Sequence, residues 1–364
     1  MKRVKFLTHA PLLAHFSKSA RDFSVEEIPL YEPSGSGEHL YLKIRKKGLS
    51  TPELLEILSQ YLGVKIRDIG YAGLKDKEGM TIQWISLPGS YEAKLNQLTH
   101  PHIKILAVSR HANKLRIGHL KGNRFFVRLK KVLPTDALKL TQALEHLKRD
   151  GLPNYFGYQR FGRDGDNAQA GKEILEGIRR ERNLKVRELL VNAYQSALFN
   201  AWLSRRVELS RLIESFQPAE LTTLTGLSRE ELKNLKRQEH FFKILAGEVM
   251  HHYPYGKMFL ADDPATEAAR FALKQIVPTG LLFGRDVLKA TSTAALYESP
   301  INLDVNFKGA RRFAWIWPDE IESRYIEEEA HFELRFALPK GSYATIFIEE
   351  LLQRDLGFGS EEDR

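Results

Sequence analysis

Residues able to do chemistry are densest in the segment 69–84, which reads Ile69-Gly70-Tyr71-Ala72-Gly73-Leu74-Lys75-Asp76-Lys77-Glu78-Gly79-Met80-Thr81-Ile82-Gln83-Trp84. Three glycines and a charged quartet stand between a helical pattern and a strand pattern, and loops held by rigid elements are common seats for reactive groups. Lys75 and Lys77 flank Asp76, and neighbouring cations keep a carboxylate ionised. An ionised carboxylate is a nucleophile or a base. The same residues also read as a solvated turn with a local ion pair, since such pairs are common and weak.

Two further segments suit an unpaired nucleic acid. Lys121-Gly122-Asn123-Arg124-Phe125-Phe126 interleaves basic, amide and aromatic groups at a strand start. Cations meet phosphates, amides read base edges and rings stack on bases. Alternation also puts Phe125 or Phe126 into a core. Pro153-Asn154-Tyr155-Phe156-Gly157-Tyr158-Gln159-Arg160-Phe161-Gly162 packs four aromatics, two amides and an arginine into ten residues. It suits base stacking or a tightly packed hinge between domains, or both. Leu338-Pro339-Lys340-Gly341-Ser342-Tyr343 opens a helix, where a basic turn either binds phosphate or serves as a cap.

These segments need elements to hold them. Residues 38–47 alternate, with Leu40, Leu42 and Ile44 on one face, which predicts a half-buried strand. Ser50-Thr51-Pro52-Glu53 starts a helix with a capping box, and Gly63 ends it. Strands are expected at 82–87, 103–108, 114–120, 125–129 and 331–338, and helices at 134–147 and 344–352. Residues 166–250 are helical in pattern, with 210–243 a polar, peripheral stretch. The mixture implies an α+β protein with antiparallel sheet, built from both ends of the chain around a helix-rich middle.

Composition narrows the class. With 364 residues and 43% hydrophobic side chains the chain has material for two or three folded domains. Lys plus Arg is 55 against 46 Asp plus Glu, a net +9 that favours a polyanionic partner. No cysteine is present, so disulfides, thiolate zinc sites and cysteine nucleophiles are excluded, and a reducing cytoplasm is expected. No run of about 18 apolar residues suggests a membrane span, and the basic start does not read as a signal peptide. The histidines lack ligand spacing, so no metal is expected. No exposed apolar helix face stands out, and a monomer is expected.

In order along the chain, Arg21-Asp22-Phe23-Ser24-Val25-Glu26-Glu27, Gly35-Ser36-Gly37-Glu38-His39, Ala72-Gly73-Leu74-Lys75-Asp76-Lys77 with Thr81 and Gln83-Trp84, and Lys121-Gly122-Asn123-Arg124-Phe125 resemble the TruD family of pseudouridine synthases. So do residues 153–162, Ser196-Ala197-Leu198-Phe199-Asn200 and residues 338–345. Gly79-Met80 stands where the family's small and β-branched pair is expected. The resemblance implies a pseudouridine-synthase core from residues 1–152 and 318–364, with an inserted helix-rich α+β domain at 153–317. It implies isomerisation of uridine to pseudouridine in transfer RNA, at uridine-13, in the cytoplasm. Asp76 matches the catalytic aspartate, Phe125 the ring that stacks on the target base and Asn123 the amide beside it. Gln83, Phe156 and Arg160 fall in motifs lining the cleft, and Lys18 lies near an upstream family lysine. No redox change occurs, so no cofactor is expected. A non-catalytic RNA-binding or RNA-folding protein on the same scaffold is the alternative, and a hydrolase pairing Asp76 with Glu78 a third.

Overall fold

The computed structural model describes residues 3–162, 164–298 and 307–356. The chain forms two compact units, one of Leu13–Gln142 with Pro318–Gly341, the other of Met1–Leu12, Ala143–Trp317 and Ser342–Arg364. In chain order the first unit begins β1 (His15–Phe16), β2 (Phe23–Pro29), β3 (His39–Lys47), α1 (Thr51–Leu62), β4 (Gly70–Tyr71), β5 (Met80–Pro88), β6 (Ile103–His111) and β7 (Leu120–Lys130). Helix α2 (Pro134–Asp150) starts in the first unit and ends in the second.

The second unit continues with β8 (Leu152–Pro153), α3 (Asn167–Leu175), α4 (Leu184–Ser215), α5 (Pro218–Thr225) and α6 (Arg229–Arg237). Then come β9 (Val249–His252), β10 (Met258–Leu260), α7 (Pro264–Ala272), β11 (Ile276–Leu282), α8 (Ser292–Tyr297), β12 (Ala310–Phe313) and β13 (Trp315–Ile316). Strands β14 (Asp319–Ile326) and β15 (His331–Pro339) return to the first unit, and α9 (Ala344–Leu352) to the second. The fold is α+β with mainly antiparallel sheet.

The first unit is built on one sheet in the order β14-β15-β7-β2-β5-β3-β6, with β1 on β7 and β4 on β5. Only β2 and β5 pair in parallel, in the register Ser24–Met80, Val25–Thr81 and Glu26–Ile82. Helix α1 covers one face. Its N-cap Ser50 accepts from the Glu53 backbone N–H while the Glu53 side chain accepts from the Ser50 N–H, and Gly63 ends it at φ 72°. Leu54, Leu55, Leu58 and Leu62 pack on Leu40, Leu42, Ile44, Ile85 and Leu87. Each fully buried leucine is worth about 1.5–3 kcal/mol, so this face fixes the helix.

Strand β3 departs from the half-buried expectation. Tyr41, on its other face, is 2% exposed. Ala72, Trp84, Leu115 and Leu120 cover it. Residues 114–119 supply part of that cover as a loop, not the expected strand. The Leu115 N–H donates to Ser86 Oγ at 2.9 Å, and Gly118 turns at φ 91° with its N–H on the Ala72 carbonyl at 2.8 Å. Leu115 is buried and Ile117 exposed, so their alternation marks no pleated ladder.

In the second unit the stretch 210–243 has a core of its own, against the expectation of a peripheral segment. Leu209, Ile213, Leu221, Leu232 and Leu235 pack together from α4, α5 and α6. Helix α6 has few apolar residues, but Leu232 and Leu235 share one face, so composition understates its burial. Strands β10-β9-β11-β12 form an antiparallel sheet, and β8 pairs with β13. All nine residues of α9 are buried, including Glu349 and Glu350. Arg3 meets Glu349 at 2.5 Å and the Leu7 N–H donates to Glu350 at 2.6 Å. Burial pushes both carboxyls up to about 7. Among the described residues no helix is long and apolar enough to cross a membrane.

The capping box yields a simple expectation. Ser50→Ala should lower the unfolding free energy of the first unit by about 1 kcal/mol, read by chemical denaturation; an unchanged midpoint would show that the cap contributes nothing.

Candidate active site

The loop carrying Asp76 is tied down by its backbone. The Thr51 N–H donates to the Lys75 carbonyl at 3.1 Å, and the Lys75 N–H donates to Thr51 Oγ1 at 2.8 Å. The Thr51 hydroxyl donates in turn to Gln83 Oε1 at 3.1 Å. The first turn of α1, a buried position of β5 and the residue before Asp76 thus form one network. Past Asp76, Gly79 turns at φ 75° against Phe23. A Cβ there would lie 2.8 Å from Phe23 Cδ1 and 2.9 Å from the Phe23 carbonyl oxygen, so only glycine fits.

The charges around Asp76 pair with one another. Lys75 Nζ sits 2.9 Å from buried Glu27 Oε1, Lys77 3.3 Å from Glu53 and Lys18 2.5 Å from Glu78. The Ser50 N–H, the Ser50 hydroxyl and Lys77 hold the Glu53 carboxyl down at about 2. Asp76 is exposed, and its carboxylate makes no hydrogen bond or ion pair with a described residue. The flanking lysines expected to serve Asp76 are therefore committed to glutamates. Glu78, bound to Lys18, is no free second carboxylate of the kind a paired-acid hydrolase needs.

The cation that does address Asp76 is Lys46. Its side chain is 1% exposed and donates to the Leu49 carbonyl, and to the Asp76 carbonyl at 3.1 Å. Burial lowers its pKa to about 8, while the charge of Asp76 acts in the opposite direction. The sequence reading passed over Lys46. The signal was present in the period-two pattern, because Lys46 follows Leu40, Leu42 and Ile44 on the inward face of β3.

Cross-strand register places the other candidates in the first unit on that same face. Lys46 pairs with Thr81 and Ile44 with Gln83. Thr81 pairs with Val25, and Val25 with Phe125. Asn123 pairs with Glu27, whose carboxylate binds Lys75 and accepts the Trp84 N–H at 2.9 Å. Paired residues project to one side of a sheet. Lys18, Gln83, Asn123 and Phe125 each reach the Asp76 loop through a named neighbour: Glu78, Thr51, Glu27 and Phe23. Two amide atoms here are buried without a hydrogen bond, Gln83 Nε2 and Asn123 Oδ1, as is Glu27 Oε1 apart from its ion pair with Lys75. Such orphaned atoms each cost about 1–3 kcal/mol.

Phe125 is 6% exposed. Its ring lies between Phe336, with centroids 5.3 Å apart and planes at 25°, and Phe23, at 6.2 Å and 30°. It belongs to the core as well as to the site.

Phe156 and Arg160 lie in the second unit and meet one another there. The Phe156 N–H donates to Asn200 Oδ1 at 2.8 Å, and Asn200 Nδ2 returns a bond to the Phe156 carbonyl at 3.0 Å. The Arg160 guanidinium stands 5.6 Å from the Phe156 ring centre and donates to Ser196 Oγ at 3.0 Å. Arg312, which the motifs did not mark, lies 3.9 Å over the same ring. Gly157 is forced by close approach, since a Cβ would lie 2.8 Å from the Tyr343 ring.

The sheet of the first unit thus presents an exposed, unpaired aspartate beside a buried lysine and two unpartnered amide atoms. The family model for tRNA pseudouridine synthase D (TruD) matches residues 6–183 and 180–351. The chain is 54% identical over 358 residues to tRNA pseudouridine synthase D of Wolinella succinogenes, covering 98% of this chain and 99% of that one. It is 50% identical over 356 residues to the protein of that name from Sulfurimonas denitrificans, covering 98% and 100%. A solved TruD structure from Methanosarcina mazei shares the fold with a TM-score of 0.69 at 20% identity, over 97% of this chain and 96% of that one. The chain belongs to the TruD family of pseudouridine synthases, and is therefore an isomerase.

The charge on Lys46 has a pH signature. Its folded pKa is about 8 against an ordinary 10.5, so the fold carries a protonation penalty below pH about 8, relieved as pH rises towards the unfolded value. A reaction that uses the ammonium should instead slow as pH rises through about 8. Lys46→Met should turn over more slowly and lack that alkaline limb; a variant retaining it would assign the limb to another group.

Proposed function

We propose that this enzyme isomerises uridine to pseudouridine in transfer RNA, at uridine-13, through the carboxylate of Asp76. One observation carries the reading. In a loop whose other charges are paired, Asp76 alone is exposed and uncommitted, while its backbone is held by Lys46 and, one residue earlier, by Thr51. A reacting group needs that combination of fixed position and free oxygens.

The reaction breaks the N1–C1′ bond, turns the uracil and joins C5 to C1′. The proton leaving C5 balances the one gained at N1, so no redox partner or cofactor enters. The uridine must first leave the RNA stack, at a cost of a few kcal/mol. Attack on the sugar, attack on the base, and proton abstraction along a glycal route all use the same ionised carboxylate. Asn123 Oδ1 suits the imide N–H, and Gln83 Nε2 suits a uracil carbonyl, a contact that fully buried Gln83 makes only if its neighbours shift. Lys18, Phe156 and Arg160 are assigned to the RNA around the target. Residues 1–152 and 318–364 are assigned as the catalytic core and 153–317 as the inserted domain, in a cytoplasmic monomer. The homologues' names and the excess of cations support a tRNA substrate.

With neighbours on both sides, Phe125 has little free ring face. Stacking a base on it, worth about 1–3 kcal/mol, requires Phe23 or Phe336 to shift.

Asp76→Asn should fold and bind tRNA with unchanged affinity while pseudouridine formation falls by roughly 10³-fold or more. Mass spectrometry of derivatised tRNA would read this, and full activity would remove the mechanism. Phe125→Ala should lose activity together with about 3–5 kcal/mol of stability, as for a packed core ring. Normal turnover in the folded fraction would leave Phe125 a purely structural residue.

A further inference from the structure

The connection between α3 and α4 has no part in the site described above, yet it carries a dense set of unpaired cations. Residues 178–187 hold Arg179, Arg180, Arg182, Lys185 and Arg187 against a single carboxylate, Glu181. All five cations are exposed, and none of their side chains makes a hydrogen bond or ion pair with a described residue. Glu181 makes no ion pair with them; its Oε1 accepts the Asn183 N–H at 2.8 Å.

The backbone holding them is fixed. The N–H groups of Ile178 and Arg179 donate to the Glu173 carbonyl at 2.9 and 3.1 Å, closing the end of α3. Asn183 Oδ1 accepts from the N–H groups of Lys185 and Val186, capping α4. The two helices lie close, since a Cβ on Gly171 would sit 2.0 Å from the Leu190 carbonyl oxygen. The arginines therefore project from a rigid hairpin. Ile178 and Leu184, 73% and 75% exposed, stand among them. Clustered unpaired cations repel one another, and on meeting a polyanion they release its condensed counterions, so the arrangement suits a ligand carrying regularly spaced negative charge. Guanidinium forks bind phosphate in a bidentate manner, and isolated apolar side chains can rest on ribose and base faces.

We infer that this connection is a docking surface for the phosphodiester backbone of the substrate RNA. It acts on affinity, not on the chemical step. The inference rests on the tRNA reading of function, and the test separates the two. Binding of an unmodified tRNA transcript is measured across a salt series for the wild type and for the triple variant Arg179→Gln, Arg180→Gln, Arg182→Gln. Each lost phosphate contact should flatten the log affinity against log salt plot by about 0.7–0.9. The variant should bind at least about ten-fold more weakly near 0.1 M salt, with a slope shallower by about 2. Its pseudouridine turnover at saturating RNA should match the wild type. Equal affinity and slope would overturn the surface, and would leave a protein partner as the occupant to seek. A wild-type enzyme that neither binds nor modifies the transcript would instead overturn the function on which this rests. Should the loop variant fold poorly, Lys185→Gln with Arg187→Gln, on the first turns of α4, carries the same test.

Discussion

The buried ion pair between Lys75 and Glu27 is the constraint on which the site depends. Glu27 lies inside the sheet on β2, where an unpaired carboxylate would be prohibitive. Lys75 supplies its countercharge from the adjoining loop, and the Trp84 N–H supplies a hydrogen bond from the neighbouring strand. Removing one partner of such a pair typically costs about 3–5 kcal/mol. The pair therefore does more than neutralise Glu27. It anchors the residue before Asp76 to the central strands, so the position of the Asp76 carboxylate follows from the packing of the core. Thr51 adds a second tether to the same residue, drawn from α1. Sheet and helix both fix the loop, while the Asp76 carboxylate oxygens make no hydrogen bond or ion pair with a described residue.

Much of this was legible beforehand, for reasons specific to each segment. The capping box at Ser50 and Glu53, the stop at Gly63 and the closing helix at 344–352 are local patterns, and the structure bears them out. Residues 114–119 were misread because alternation of Leu115 and Ile117 is also compatible with a loop whose polar groups find side-chain and carbonyl partners elsewhere. The pairing of charges was hidden for a related reason. Sequence adjacency suggested that Lys75 and Lys77 serve Asp76, but successive side chains point apart, and their partners Glu27 and Glu53 lie 48 and 24 residues away. Lys46 was readable from its register on β3, had a lysine in an apolar row been treated as a signal. The orphaned amide atoms of Gln83 and Asn123 become visible only with coordinates.

The network also explains how a loop full of charges can present just one of them. Each glutamate near Asp76 is occupied: Glu27 by Lys75, Glu53 by Ser50 and Lys77, Glu78 by Lys18. The lysines are likewise withdrawn from the substrate by their partners. Lys46 remains, held by two carbonyl oxygens instead of a carboxylate, so its charge is left to act on Asp76 and on whatever Asp76 meets.

Two kinds of positive charge thus have separate work. Lys46 is buried and Lys75 largely so, both little screened by salt, and through the Asp76 carbonyl and Glu27 they fix the backbone on either side of one carboxylate. The arginines of 179–182 are exposed, unpaired and screened, which suits them to displacing counterions from a polyanion and makes them poor instruments for chemistry. An enzyme that must select one uridine within a long RNA needs both. Weak contacts spread over the backbone supply affinity without committing any one nucleotide. On the proposed reading, a rigid, mostly neutralised centre meets only a base that has left its stack, which puts discrimination on the step of extrusion and not on the grip of the surface.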